Sequence, residues 1–271
     1  MTSVLRTLAG DLAGLLTSGC LLCDQPCGAN GLPGLCGLCA VTLPFNNHAC
    51  VRCALPLLPG GDLGMQRPTT CGRCLTRPPP YTHAVAPLLY EGFPRKWVRR
   101  LKERFGLVEG RLLGTLLARA VMARREACDR QLPRPDALVP VPLARLRLAR
   151  RGHNQAISLA LPVASRLGVP LLRTAARRPR STRPQRHLGR ASRLENLQGA
   201  FASRRWQGEC VAIVDDVMTT GATVTALATA LLDAGAGQVI VLCATRTAAD
   251  HRSVPPGHPE VAAACPAGTG C

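Results

Sequence analysis

Residues 211–223 read Val-Ala-Ile-Val-Asp-Asp-Val-Met-Thr-Thr-Gly-Ala-Thr, an apolar run that meets two adjacent carboxylates and then a small, hydroxyl-rich turn. Val211, Ile213 and Val214 form the continuous apolar stretch of a parallel strand covered on both faces, so the spacing predicts a strand that leaves the carboxyl edge of a sheet at Asp215. Open α/β sheets bind ligands at that edge. Asp215 and Asp216 offer charge-assisted acceptors there for two vicinal hydroxyls such as those of a ribose. Thr219, Thr220, Gly221, Ala222 and Thr223 then make an anion site. Gly221 permits close backbone approach, the amides and threonine hydroxyls donate, and the helix that follows adds its positive end. A Walker-type loop is excluded, because the acidic pair precedes the glycine and no Gly-Lys-Thr/Ser follows it. The plainer alternative is a Rossmann-like strand end with an incidental acidic pair.

Working outward, strands are predicted at 83–90, 137–141, 171–174 and 238–244. Helical spacing runs from 96–104 through Leu112, Leu113, Leu116, Leu117 and Ala120, then over 155–167 and over 222–234, where Gly235 ends it. Alternating strands and helices imply an α/β fold with a parallel sheet and right-handed crossovers. Pro78-Pro79-Pro80 reads as a stiff linker between a head (1–77) and a body (81–247), and the Pro-, Gly- and Ala-rich 248–271 as a disordered tail, Cys265 and Cys271 included.

The head carries Cys20-Leu-Leu-Cys23, Cys36-Gly-Leu-Cys39, Cys50-Val-Arg-Cys53 and Cys71-Gly-Arg-Cys74, four Cys-x-x-Cys pairs in 55 residues. Each such turn sets two thiolates on one side of a tight loop, and two turns complete a tetrahedral zinc site, so eight ligands suffice for two ions. Pairs taken in sequence give a double zinc ribbon; crossed pairing, first with third and second with fourth, stays open. Closed four-thiolate sites leave no coordination position for catalysis, which assigns the head a structural or partner-docking role. Cys27 and His48 break the spacing and read as spectators, and Cys128, Cys210 and Cys243 as small buried hydrophobes.

The 271 residues hold 34 Lys+Arg against 16 Asp+Glu, a net charge of +18, and nearly all the cations are arginine. Guanidinium groups favour bidentate phosphate recognition, so an acidic or polyphosphate partner is expected. A GC-rich genome would explain the arginine-to-lysine ratio but not the excess of one sign. No apolar run is long enough to span a membrane and no signal-peptide order opens the chain, so a cytoplasmic, reducing setting is expected, where paired thiols point to metal before disulfide.

Two basic segments stand out. Val139-Pro140-Val141-Pro142-Leu143 leads to Arg145, Arg147, Arg150 and Arg151, placed over the same sheet edge as Asp215. The stretch 177–205 holds nine arginines against one glutamate without hydrophobic period, and reads either as a mobile hood or as a disordered basic linker. Arg150, Arg151, Arg183, Arg186, Arg190 and Arg193 are the candidates to hold a diphosphate or DNA phosphates.

The 211–223 stretch resembles the 5-phosphoribosyl diphosphate (PRPP) motif of type I phosphoribosyltransferases, matching its hydrophobic-acidic-acidic-hydrophobic-hydrophobic-x-x-Gly-x-Thr pattern throughout. The four cysteine pairs, Val139 to Leu143, Arg151-Gly152-x-Asn154-Gln155-Ala156, Thr182, Gln185, Arg193, Asn196, Phe201 and Val214 to Thr223 together resemble the ComF/GntX family of phosphoribosyltransferase-like proteins over roughly residues 20–246. His153 stands where that family usually has Phe. The resemblance implies a type I phosphoribosyltransferase-like body behind a double zinc ribbon, PRPP with Mg2+ as ligand, and handling of incoming single-stranded DNA in natural transformation, beside other DNA-uptake proteins. An active phosphoribosyltransferase and a plain zinc-ribbon nucleic-acid binder are the alternatives. Enzymes that salvage 6-oxopurines carry an acidic residue where Thr219 stands, which disfavours that specificity. With 3% aromatic residues, a grip on single strands would rest on arginine and phosphate more than on base stacking, and would be salt-dependent.

Overall fold

The computed structural model describes residues 19–27, 32, 34–57, 70–103, 106–126, 132–179 and 199–248. In chain order these form α1 (Gly37–Val41), α2 (Gly72–Thr76), β1 (His83–Val85), β2 (Leu88–Leu89), α3 (Gly92–Leu101), α4 (Leu107–Glu126), β3 (Ala137–Pro140), α5 (Arg145–Arg151), α6 (Gln155–Leu167), β4 (Ala176–Arg177), β5 (Ala202–Ser203), β6 (Cys210–Met218), α7 (Ala222–Asp233) and β7 (Gln238–Arg246). The main sheet runs β1-β7-β6-β3, with β2 pairing further along β7, and every pair in it is parallel. The expected α/β architecture is therefore present.

Strand alternation sorts the central side chains onto two apolar faces. Ala212, Val214, Ile240 and Leu242 pack with Leu112, Leu113 and Leu117 of α4 and Leu159 and Val163 of α6. Val211, Ile213, Val239 and Val241 pack with Val224, Leu227 and Leu231 of α7. Each fully buried aliphatic side chain contributes about 1.5–3 kcal/mol, so both helical layers are held mainly by apolar burial. Helices α4 and α6 touch closely: a Cβ on Gly114 would lie 2.6 Å from the Leu159 carbonyl oxygen. That contact fixes the height of α6, whose first residue, Gln155, reaches the acidic pair.

The sequence boundaries need four corrections. Strand 83–90 breaks at Pro87, which has no N–H to give a ladder and instead lends its carbonyl to the Asn46 amide at 2.8 Å. The helical stretch from 96 is two helices, the first beginning at Gly92. Segment 171–174 is a single bridge, Leu171 to Leu138. The central strand does not leave the sheet at Asp215: β3 stops at Pro140, opposite Val214, while β6 continues beside β7 to Met218, opposite Arg246. The acidic pair thus sits where one neighbouring strand has ended and the other has not.

Pro78–Pro80 does not hold the cysteine-rich segment away from the sheet. The Ala84 amide donates to the Val51 carbonyl at 2.9 Å, Phe45 forms a bridge with Leu88, and Leu32, Leu35 and Leu43 share one apolar cluster with Val85, Leu88 and Trp97. Arg183, Arg186, Arg190, Arg193, Cys128 and the tail beyond residue 248 lie outside the described residues. Among the described residues no helix is long and apolar enough to cross a membrane.

Candidate functional site

Asp215 and Asp216 are both buried, at 9% and 6% exposure. Asp216 faces the α4/α6 side, where its Oδ2 accepts from Lys102 Nζ at 3.2 Å and from Gln155 Nε2 at 3.3 Å. Asp215 turns its Oδ1 back to the Asp216 amide at 2.9 Å. Burial, followed by the neighbouring charge of Asp216, pushes the Asp215 carboxyl well above the ordinary carboxylate range, against a smaller lowering by the Asp216 amide and Lys102. Buried and beside a like charge, it favours the protonated form.

The turn after β6 has the form expected of an anion loop. Gly221 has φ of 81°, which glycine adopts without penalty, and N-caps α7 with no side-chain bond. The Thr220 hydroxyl accepts from the Ala222 amide at 3.3 Å. Arg246 Nη1 donates to the Met218 carbonyl at 2.9 Å and to that of Thr219, so these two carbonyls are drawn toward the end of β7.

Of the two basic candidates among the described residues, Arg151 is the one brought to the acids. Its Nη1 donates to Gln155 Oε1 at 3.1 Å, which orients the Gln155 amide toward Asp216. Burial lowers its pKa, and the Asp216 charge partly offsets that. Arg150 is exposed on α5. Gly152, at φ 75°, ends α5, and Asn154 caps α6 through its side chain. His153 is half-buried, its Nε2 3.0 Å from the Leu101 carbonyl and its Nδ1 3.1 Å from that of Arg151. At the position where the resemblance expects Phe, this chain therefore makes polar contacts to the residue before Lys102. A separate cavity of about 590 Å³ lies along α7 between Phe201, Ala202, Thr225, Thr229 and Asp233, and includes no cradle residue.

The cysteine pairs assemble in sequence order: Cys20, Cys23, Cys36 and Cys39 form one group, Cys50, Cys53, Cys71 and Cys74 the other, each with all sulfurs within 4.8 Å of one another. Crossed pairing is excluded. The two groups are built alike. Asp24 and Ala54 follow the first pair of each in left-handed conformation, φ 57° and 51°, and the second pair opens α1 or α2. One thiol per group is prepared for ionisation. For Cys20, burial is outweighed by amides at Cys36, Leu22 and Cys23, and the pKa falls to about 6. For Cys50, a hydrogen bond from the Cys53 thiol and several amides bring it to about 4. Both groups fit tetrahedral zinc. The second is wholly buried, whereas Cys23 in the first is exposed.

The sequence reading passed over Lys102, Arg246 and Tyr81. Lys102 did carry a signal: it and Lys96 are the chain's two lysines among 34 Lys+Arg, so a lysine here departs from a strong arginine bias. Arg246 and Tyr81 had none.

No family model matches the chain. It is 37% identical over 230 residues to the DNA utilization protein YhgH of Salmonella typhi, an alignment covering 84% of this chain and 96% of that protein. The Escherichia coli K12 protein of the same name is 35% identical over the same spans. The chain belongs to the ComF/GntX family. Within it, Competence protein F of Haemophilus influenzae is 33% identical over 181 residues, 63% of this chain and 76% of that protein. Among solved structures, a purine phosphoribosyltransferase from Pyrococcus horikoshii is 21% identical, covering 46% of this chain and 68% of that one, at a TM-score of 0.26, a slight likeness. Family membership thus spans cysteine-rich segment and sheet together.

Proposed function

We propose that this ComF/GntX protein binds PRPP or a related sugar phosphate at Asp215, Asp216 and Thr219 to Thr223, and that its basic surface handles single-stranded DNA during DNA uptake or utilisation, in the cytoplasm. The observation that carries the sugar-phosphate reading is the buried acidic pair at the end of β3, directly before a Gly221-capped helix N-terminus. Acceptors for a diol and donors for a phosphate lie there in the order a ribose 5-phosphate requires. The names of the relatives, DNA utilization protein and Competence protein F, support the DNA role. Mg2+ would enter on the ligand's diphosphate, as it does where substrate phosphates supply its ligands.

Lys102 and Gln155 both meet Asp216 at Oδ2, so a diol can bond to the carboxylate's remaining acceptor sites or displace these partners. Asp216→Asn keeps the shape and removes a charge-assisted acceptor worth about 1.5–3 kcal/mol, so PRPP affinity should fall roughly tenfold or more by isothermal titration. Equal binding by wild type and variant would refute the cradle. The pH dependence has a definite sign. Because Asp215 is raised in the folded state, its neutral form contributes stability below the ordinary aspartate range, and that contribution is lost as pH rises through the raised value. Hydroxyl donors bond more strongly to the ionised form, so PRPP binding should strengthen over the same rise and release a proton. Titration in buffers of different protonation heat measures this, and Asp215→Asn should abolish it.

One observation favours an active phosphoribosyltransferase as second reading. The Lys102 ammonium, 3.2 Å from Asp216, is positioned to neutralise charge on a departing diphosphate once the sugar takes over the carboxylate. Diphosphate release in the presence of PRPP, Mg2+ and candidate nucleobases or amines distinguishes it from binding alone.

A further inference from the structure

Arg246 closes β7 at 2% exposure, and among the described residues no carboxylate pairs with it. Its charge is instead shared among backbone carbonyls from three places in the chain. Nε donates to the Cys53 carbonyl at 3.0 Å. Nη1 donates to Met218 at 2.9 Å, to Thr219, and to Thr247 at 2.8 Å. One planar fork therefore ties a residue of the second cysteine group to the two carbonyls that open the anion loop. Tyr81 lies alongside. It is 1% exposed, its hydroxyl oxygen is 3.5 Å from where a Cβ on Gly221 would stand, and it shares an apolar cluster with Ala54, the residue after Cys53.

We propose that Arg246, backed by Tyr81, is a positioning residue through which metal loading of the Cys50–Cys53–Cys71–Cys74 group sets the order of the loop 218–222. The inference rests on the reading of that loop as an anion site. Four thiolates around a divalent ion form a net dianion, and that charge beside Cys53 would compensate the buried guanidinium. Emptied, the group no longer holds the Cys53 turn in place, so the fork loses both that backbone anchor and the neighbouring negative charge. The fork geometry is specific to arginine, because a lysine ammonium could not reach both sets of carbonyls in one plane.

The test is amide hydrogen exchange at residues 218–222 in the full, zinc-loaded chain. Arg246→Lys, which keeps the charge, and Cys74→Ser, which breaks the second group, should each speed exchange there about tenfold, and the double variant no more than either single, the mark of a shared path. Additive effects, or wild-type exchange in Arg246→Lys with zinc retained, would overturn the proposal. In wild type the coupling must be reciprocal, so saturating PRPP should tighten equilibrium binding of the second zinc about tenfold in competition with a chelator. Unchanged zinc affinity with PRPP bound by calorimetry would also overturn it. No heat of binding would overturn the anion-site reading instead, with the exchange data then deciding the positioning role of Arg246.

Discussion

Chelation of the reduced protein should release about two zinc ions per chain in two phases and destabilise the sheet with them. Structural zinc contributes on the order of 10–16 kcal/mol of apparent binding free energy per site in small modules, several times the burial of any single aliphatic side chain. The fast phase should come from the first group, where Cys23 is exposed and Cys36 and Cys39 are half-buried, and the slow phase from the second, whose four cysteines are all buried. A head joined only by a linker would melt alone. Here Leu32, Leu35 and Leu43 share packing with Val85, Leu88 and Trp97, so metal loss also exposes apolar surface on the β1 edge, about 1.5–3 kcal/mol for each large side chain uncovered. Circular-dichroism melts of the apo protein should therefore show the body melting lower, and Cys50→Ser should lose the slow phase alone. A reduced preparation free of zinc, or release in one phase, would contradict this account.

What was legible in the sequence is what local chemistry dictates. Helix α6 could be bounded at 155–167 because Asn154 caps it and Gly168 ends it in left-handed conformation. The cysteine groups could be read because a two-residue spacing is itself a ligand geometry. The strand before the acids was legible from its apolar run, but its true end was not. Beyond Asp215 the side chains stop signalling a strand while backbone pairing with β7 continues to Met218. Pairing is a property of the partner, and single-strand patterns do not carry it. Lys102 meets Asp216 from the end of a helix more than a hundred residues away, and Arg246 reaches back to Cys53 across a separation of 193. Contacts of that range leave no periodic trace.

Neutralising Arg183, Arg186, Arg190 and Arg193 together should weaken single-strand DNA binding without changing zinc content. These residues lie outside the described part of the chain, and the prediction follows from charge alone: nine arginines against one glutamate over 177–205, to which α5 adds the exposed Arg147 and Arg150. Each phosphate neutralised on a single strand contributes about −0.7 to the slope of log affinity against log salt, so six contacts give roughly −4 and loss of four flattens it by about 3. Between about 50 and 200 mM salt, a slope change of that size corresponds to roughly fifty-fold in relative affinity. Little base stacking is available to compensate, since the chain has two Trp, two Tyr and four Phe, and Trp97, Tyr81, Trp206 and Phe201 are buried. The same variant separates the competing readings. A zinc-ribbon binder would keep its DNA affinity when this segment is neutralised and lose it when the cysteine groups are emptied, whereas a hood that grips phosphate would show the reverse order of sensitivity. Unaltered binding and slope in the fourfold variant would remove the DNA role from the body of the protein.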